Sequence, residues 1–234
     1  MPTPDDQEEI ETTVGIARVS FFRVPTGVPR ALVVLGHGAG SGIGSWDLQD
    51  LAGKLPASGI EVALFEQPWV VAGKKVAPAQ SRVDAAFREG VTSLRRSGEA
   101  LRRLIVGGRS SGGRIACRTA ADIEADGVLC LAFPLHPPGK PTPDRSDELA
   151  KVAQQLPVTV VQGARDPFGS ATELAQSLQT ADSPALTVAI PWADHSLKVK
   201  KKAPVTQEEV GLVLARAARH AAVGRQQRRG LFSA

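Results

Sequence analysis

The run Leu104-Ile105-Val106-Gly107-Gly108-Arg109-Ser110-Ser111-Gly112-Gly113-Arg114 decides how this chain is read. Three aliphatic residues lead into the pentapeptide Gly108-Arg109-Ser110-Ser111-Gly112, and a stretch rich in small residues follows it. A Gly-x-Ser-x-Gly pentapeptide alone is weak evidence, since chance supplies one in roughly one chain in seven of this composition. Its setting carries the weight. A strand, a sharp turn and a helix in succession hold a serine at the tip of strained backbone, where the residues two positions away on either side must lack side chains for the chain to pass. Gly108 and Gly112 meet that demand for Ser110. Ser111 fits less well, because Arg109 stands two positions before it. Ser110 is therefore the candidate nucleophile.

Outward from this turn, strand-like and helix-like segments alternate. Residues 14–23 and 31–35 read as strands separated by Pro25, Thr26, Gly27 and Pro29, the first an antiparallel edge strand. A glycine-rich loop (36–44) precedes Leu48, Leu51 and Leu55 at helical spacing, with Gly59 as a stop and a strand at 61–65. Val83, Phe87, Val91 and Leu94 mark a helix, and the segments 104–106, 115–123 and 128–133 read as strand, helix and strand. A Pro-rich loop (134–143) leads to a helix at 146–155, a strand at 158–162, a helix at 171–178 and a strand at 186–190. Thr206 with Glu209 forms a capping box for a last helix whose apolar face is Val210, Val213, Leu214 and Ala217. This alternation predicts an α/β fold with a mostly parallel sheet and helices on both faces.

Composition agrees. The chain has 234 residues, 42% of them hydrophobic and none of them Tyr, so its core must be built from Val, Leu, Ile and Ala, as suits buried parallel strands. A single domain over 14–223 is expected, with a flexible acidic N-terminus (1–13) and a basic C-terminal tail (224–234). The net charge of +4 is small and sits largely in Lys198, Lys200 to Lys202, Arg225, Arg228 and Arg229, which reads as solvated surface, so no nucleic-acid partner is expected. Cys117 and Cys130 lie in apolar stretches outside any metal-ligand spacing. Neither metal nor cofactor is expected. The N-terminus has no basic and apolar signal segment and no stretch approaches the length of a membrane span, which predicts a cytoplasmic protein without a membrane partner.

A serine hydroxyl needs a base, and the chain has four histidines. His195, in Trp192-Ala193-Asp194-His195-Ser196 just past the strand at 186–190, lies where such a sheet presents its loops. His220 falls in the last helix, and His136 in the Pro-rich loop could line a pocket. Asp166, just past the strand at 158–162, is the candidate orienting carboxylate. Asp194 is its rival, though its position next to His195 in sequence is poorly suited to reaching the ring. Ser110, Asp166 and His195 then follow in the chain order of the nucleophile-elbow hydrolases. The N–H of Ser111 and one from His37-Gly38-Ala39-Gly40, Ala39 or Gly38, are candidate oxyanion donors. His37, Gly38, Trp69, Arg109, His136 and Phe168 are candidates for the substrate pocket, and Lys74, Lys75, His136, Lys140 and Arg165 for a positive rim suited to anionic acyl groups.

These residues carry a resemblance. Gly36-His37-Gly38-Ala39-Gly40, Pro68-Trp69 with Gly73-Lys74-Lys75, Gly107 to Arg114, Phe133-Pro134-Leu135-His136-Pro137-Pro138-Gly139-Lys140-Pro141, Gln162-Gly163-Ala164-Arg165-Asp166-Pro167-Phe168-Gly169 and Asp194 to Lys198 resemble the α/β-hydrolase superfamily. Within it they are similar to a dienelactone-hydrolase-like group of small hydrolases, one branch of which is the hydrolase-like domain of a non-specific-lethal histone acetyltransferase complex subunit. The resemblance implies a three-layer α/β-hydrolase fold with Ser110, Asp166 and His195 in triad positions. With only 134–143 where lipases carry a lid, an open site is expected. Two readings follow: a serine hydrolase cleaving a small carboxylic ester or thioester, or a catalytically silent hydrolase-fold protein that binds a protein partner.

Overall fold

The computed structural model of the protein describes residues 1–40, 42–96, 103–137, 139, 140, 142 and 144–223. Eight strands run in chain order as β1 (Asp6–Thr12), β2 (Gly15–Phe22), β3 (Ala31–Gly36), β4 (Ile60–Glu66), β5 (Arg103–Arg109), β6 (Gly127–Leu131), β7 (Val158–Gly163) and β8 (Leu186–Ile190). They form one sheet in the order β1-β2-β4-β3-β5-β6-β7-β8. Pairing is antiparallel at β1–β2 and β2–β4 and parallel elsewhere. The helices are α1 (Trp46–Lys54), α2 (Pro68–Val71), α3 (Gln80–Arg96), α4 (Ser111–Thr119), α5 (Ser146–Ala153), α6 (Ala171–Thr180) and α7 (Gln207–Val223).

The two faces of β3 show why its sequence is apolar throughout. Leu32 and Val34 face a layer holding Phe87 and Val91 of α3, Ile115 of α4, Leu149 of α5 and Leu174 of α6. Ala31, Val33 and Leu35 face the opposite layer, with Leu48 and Leu51 of α1 and Val210, Leu214 and Ala218 of α7. Side chains alternate across a strand, so a strand covered on both faces has no position left for a polar residue. The capping box expected for α7 forms: Glu209 N–H donates to Thr206 Oγ1 (3.2 Å) and Thr206 N–H to Glu209 Oε2 (2.7 Å).

Three expectations need correction. Asp6–Thr12, expected to be flexible, is the edge strand β1, so β2 is internal. Ile10 alone of its residues is buried, against Ala17, while Glu9 pairs with Arg18 at 2.9 Å. One inward apolar residue among charges leaves almost no period-two signal, and an exposed charge-rich strand is a common way of blunting a sheet edge. The helix expected from 115 begins at Ser111, directly after the turn. The short helix α2 was not anticipated. The tail at 224–234 lies outside the described residues. Among the described residues no helix is long and apolar enough to cross a membrane.

Candidate active site

Ser110 occupies the turn from β5 into α4 with φ 52° and ψ −115°, a conformation costly for any residue with a Cβ. Crowding around it explains the glycines. A Cβ on Gly112 would lie 2.4 Å from the carbonyl oxygen of Gly36 at the end of β3, and one on Gly108, at φ +155°, would lie 2.3 Å from the same atom. The turn is thus pressed against the strand that leads into the His37–Gly40 loop. Its exit is tied to the sheet by the Ser110 N–H, which donates to Leu131 O at 2.9 Å.

Loops at the carboxyl ends of β7 and β8 bring two further groups to the serine. His195 Nε2 lies 3.0 Å from Ser110 Oγ, and His195 Nδ1 lies 2.8 Å from Asp166 Oδ2. The Asp166 carboxylate is buried. Acting only as an acceptor, it fixes the proton on Nδ1 and leaves Nε2 to take a proton from the hydroxyl. Asp166 Oδ1 accepts from Phe168 N–H at 2.8 Å, and the Phe168 ring stacks on the imidazole with centroids 4.1 Å apart. Asp194 is spent in its own turn, its Oδ1 accepting from the N–H groups of Ser196 (2.8 Å) and Lys198 (3.1 Å).

The His37–Gly40 loop approaches from β3. His37 is buried with Nδ1 2.8 Å from Gly38 O, while Gln67 N–H donates to Nε2 at 3.2 Å. The ring therefore donates at Nδ1, accepts at Nε2 and is neutral, and burial pushes its pKa below the ordinary histidine value despite the opposing Gly38 bond. In a trans peptide the C=O and the following N–H point opposite ways. With Gly38 O turned to the ring, the Ala39 N–H faces away from it. Ser111 opens α4, where an N–H has no partner within the helix. Ala39 and Ser111 share the wall of a cavity of about 200 Å³ with His37, Gln67, Trp69 and Arg114.

Two other expected pocket residues, Arg109 and His136, have partners of their own. Arg109 turns to the other side of the sheet: its Nε lies 3.2 Å from Oδ2 of the fully buried Asp47, and its NH2 donates to His195 O (3.1 Å) and Ser196 Oγ (3.3 Å). Trp46 Nε1 donates to Ser196 O at 2.5 Å. Trp46, Asp47 and Arg109 thus anchor the loop carrying His195. His136 bonds Pro137 O through Nδ1 (2.8 Å), with Nε2 3.9 Å from Glu173, and Arg165 stacks over Trp192 at 4.0 Å.

Two supports escaped the sequence reading. Gln162, fully buried in β7, donates through Nε2 to Gly169 O (2.6 Å), Phe133 O (3.1 Å) and Asp166 Oδ2 (3.1 Å), and accepts from Phe133 N–H at 2.8 Å. A lone Gln ending an apolar strand was its only signal. Asp47 had none, because its partner is 62 residues away, the difference between 109 and 47.

The chain matches the alpha/beta hydrolase domain family over residues 29–223 and belongs to it. Among solved structures it is similar to a lidless α/β serine hydrolase from Xanthomonas campestris, at 18% identity and a TM-score of 0.71 over 94% of this chain and 96% of the other. An α/β serine hydrolase homologue from Coxiella burnetii shares 17% identity, with a TM-score of 0.69 over 92% and 98% of the two chains. An esterase domain from Rhodothermus marinus shares 16%, at 0.67 over 93% and 97%. At these identities the likeness speaks for the fold.

Proposed function

We propose that this α/β-hydrolase-fold protein is a serine hydrolase of carboxylic esters or thioesters, working through an acyl-enzyme. The observation that carries the reading is the unbroken chain from Ser110 Oγ through His195 to the buried Asp166, at 3.0 and 2.8 Å. Ser110 Oγ attacks the acyl carbon as its proton passes to His195 Nε2. The Ala39 and Ser111 N–H groups hold the oxygen that becomes negative, and Asp166 holds the imidazolium through Nδ1–H. His195 returns its proton to the departing alkoxide or thiolate as that bond breaks. A water, deprotonated by His195, then attacks the acyl-enzyme, and the proton goes back to Ser110 Oγ as the acid leaves. The resemblance of its motifs supports a place in the dienelactone-hydrolase-like group, acting on small molecules; a cytoplasmic location is part of the same proposal and does not rest on those motifs.

Labelling with a fluorophosphonate probe tests the assignment. The wild type is expected to react covalently and Ser110→Ala not at all. Equal labelling of both would remove Ser110 from the mechanism.

A further inference from the structure

One side chain outside the triad donates to the same carboxylate oxygen that faces His195. Gln162 is the penultimate residue of β7 and is fully buried. The neighbouring strand β6 ends at Leu131, and the chain turns away at Ala132, whose φ is 49°. Beyond that point the Gln162 amide takes the place of a strand partner: Oε1 accepts from Phe133 N–H at 2.8 Å and Nε2 donates to Phe133 O at 3.1 Å. Those two bonds fix which end of the amide is which, since a backbone N–H can only donate and a carbonyl can only accept. Nε2 is therefore the atom that lies 2.6 Å from Gly169 O and 3.1 Å from Asp166 Oδ2. Its two hydrogens serve three acceptors. The Gly169 bond is the shortest, which leaves the second hydrogen shared between Phe133 O and Asp166 Oδ2.

The use of that donor lies in the charge of the resting site. A buried carboxylate is costly unless it is paired or hydrogen-bonded. Before reaction the His195 ring must be neutral, with Nε2 free to take the serine proton, so the buried Asp166 faces no positive charge there. Phe168 N–H serves Oδ1 and His195 Nδ1–H serves Oδ2, and Gln162 adds a further donor to Oδ2. The charged groups around the dyad are engaged elsewhere: Arg109 with Asp47, Arg165 over Trp192, His136 beside Glu173 and Asp194 within its own turn. A hydrogen bond to a carboxylate favours its charged form. Once the imidazole has taken up a proton, it supplies a counter-charge and the bond from Gln162 is worth less. Gln162 thus favours the neutral imidazole over the imidazolium.

We propose that Gln162 is a positioning residue acting through Asp166: its Nε2–H holds Oδ2 toward His195 and stabilises the carboxylate while the imidazole is neutral, so the base stays unprotonated to lower pH than it otherwise would. The inference rests on the serine-hydrolase reading of Ser110. A Gln162 that merely joined the loops after β6 and β7 would contribute stability and leave the base unchanged.

The test follows the rate at which a fluorophosphonate labels Ser110 against pH, in the wild type and in Gln162→Met, which keeps the side chain's length and removes its amide. Labelling needs His195 as a neutral base, so the acid limb of the profile reads that base whatever the natural ester is. Rates are taken over the pH range in which circular dichroism shows each protein folded. The midpoint of the limb in Gln162→Met is expected about one pH unit above that of the wild type, the effect of losing one hydrogen bond to a charged group. A midpoint that stays in place or moves down overturns the inference and leaves the hydrolase reading standing, whereas a wild type that does not label removes both. Should Gln162→Met give no folded protein, the wild type decides through the Gln162 side-chain amide signals in nitrogen-15 spectra. Those signals are expected to shift with the same midpoint as the labelling rate. Signals that stay constant through that midpoint overturn the inference.

Discussion

Replacing Arg109 by Met keeps the aliphatic stem and deletes the guanidinium that joins Asp47 to the His195 loop. The Asp47 side chain is fully buried, so the variant strands a carboxylate with no counter-charge, a loss expected to be about 3–5 kcal/mol. For a domain of this size that is a fall in Tm of roughly 6–20 °C. Asp47→Leu combined with Arg109→Met removes both charges and should restore most of the stability, since a buried pair replaced by apolar groups of similar volume is often neutral. Activity should not return with it. Both proteins lack the bond to His195 O, and a displacement of about 1 Å in a catalytic group can lower kcat by about a hundredfold. A pH effect follows from the same pair. Burial raises the Asp47 pKa above its usual carboxylate value, with Arg109 opposing. A group whose folded pKa is raised stabilises fully below its unfolded value and loses that contribution as pH rises through the folded value. The Tm deficit of Arg109→Met should therefore be largest at neutral pH and shrink as the buffer is made acidic. Thermal melts and p-nitrophenyl butyrate kinetics on the three proteins supply the readout. A double variant that recovers kcat along with Tm, or a single variant within 2 °C of wild type, would refute the idea that this pair positions the histidine.

Asp166→Asn should lower kcat by about 10⁴-fold with a small change in KM, because the amide can hold His195 in the wrong tautomer; steady-state kinetics that show less than a tenfold loss would count against Asp166 as the orienting group. Gly112→Ala should fail to give folded protein or should melt far below wild type, since its Cβ would meet the Gly36 carbonyl at 2.4 Å, backbone against backbone; circular dichroism melts decide. The depressed His37 pKa means the unfolded chain takes up a proton near pH 6.5 that the folded protein refuses, so stability is present above that pH and lost as the pH falls below it. His37→Asn should flatten the acid limb of a Tm-against-pH curve, and an unchanged limb would assign the acid loss to other groups.

The sequence by itself determined the layers and the order of the triad candidates. Parallel strands buried on both faces must be continuously apolar, and helices packed on them must repeat at 3.6 residues; both patterns are local and survive in the one-dimensional record. Ser110 was legible for a similar reason, because the strain of its turn forces glycines within two residues of it. Asp166 and His195 could be placed only as loop residues after particular strands, since the distances that join them to Ser110 arise when β5, β7 and β8 are assembled in one sheet. What the tertiary structure alone decided lies in contacts between residues far apart in sequence. The strand β1 exists because β2 offers it a ladder and an arginine, and the Asp47–Arg109 pair because α1 and the serine turn meet beneath the His195 loop. A polar side chain takes its meaning from what surrounds it, and for these residues the surroundings come from other parts of the chain.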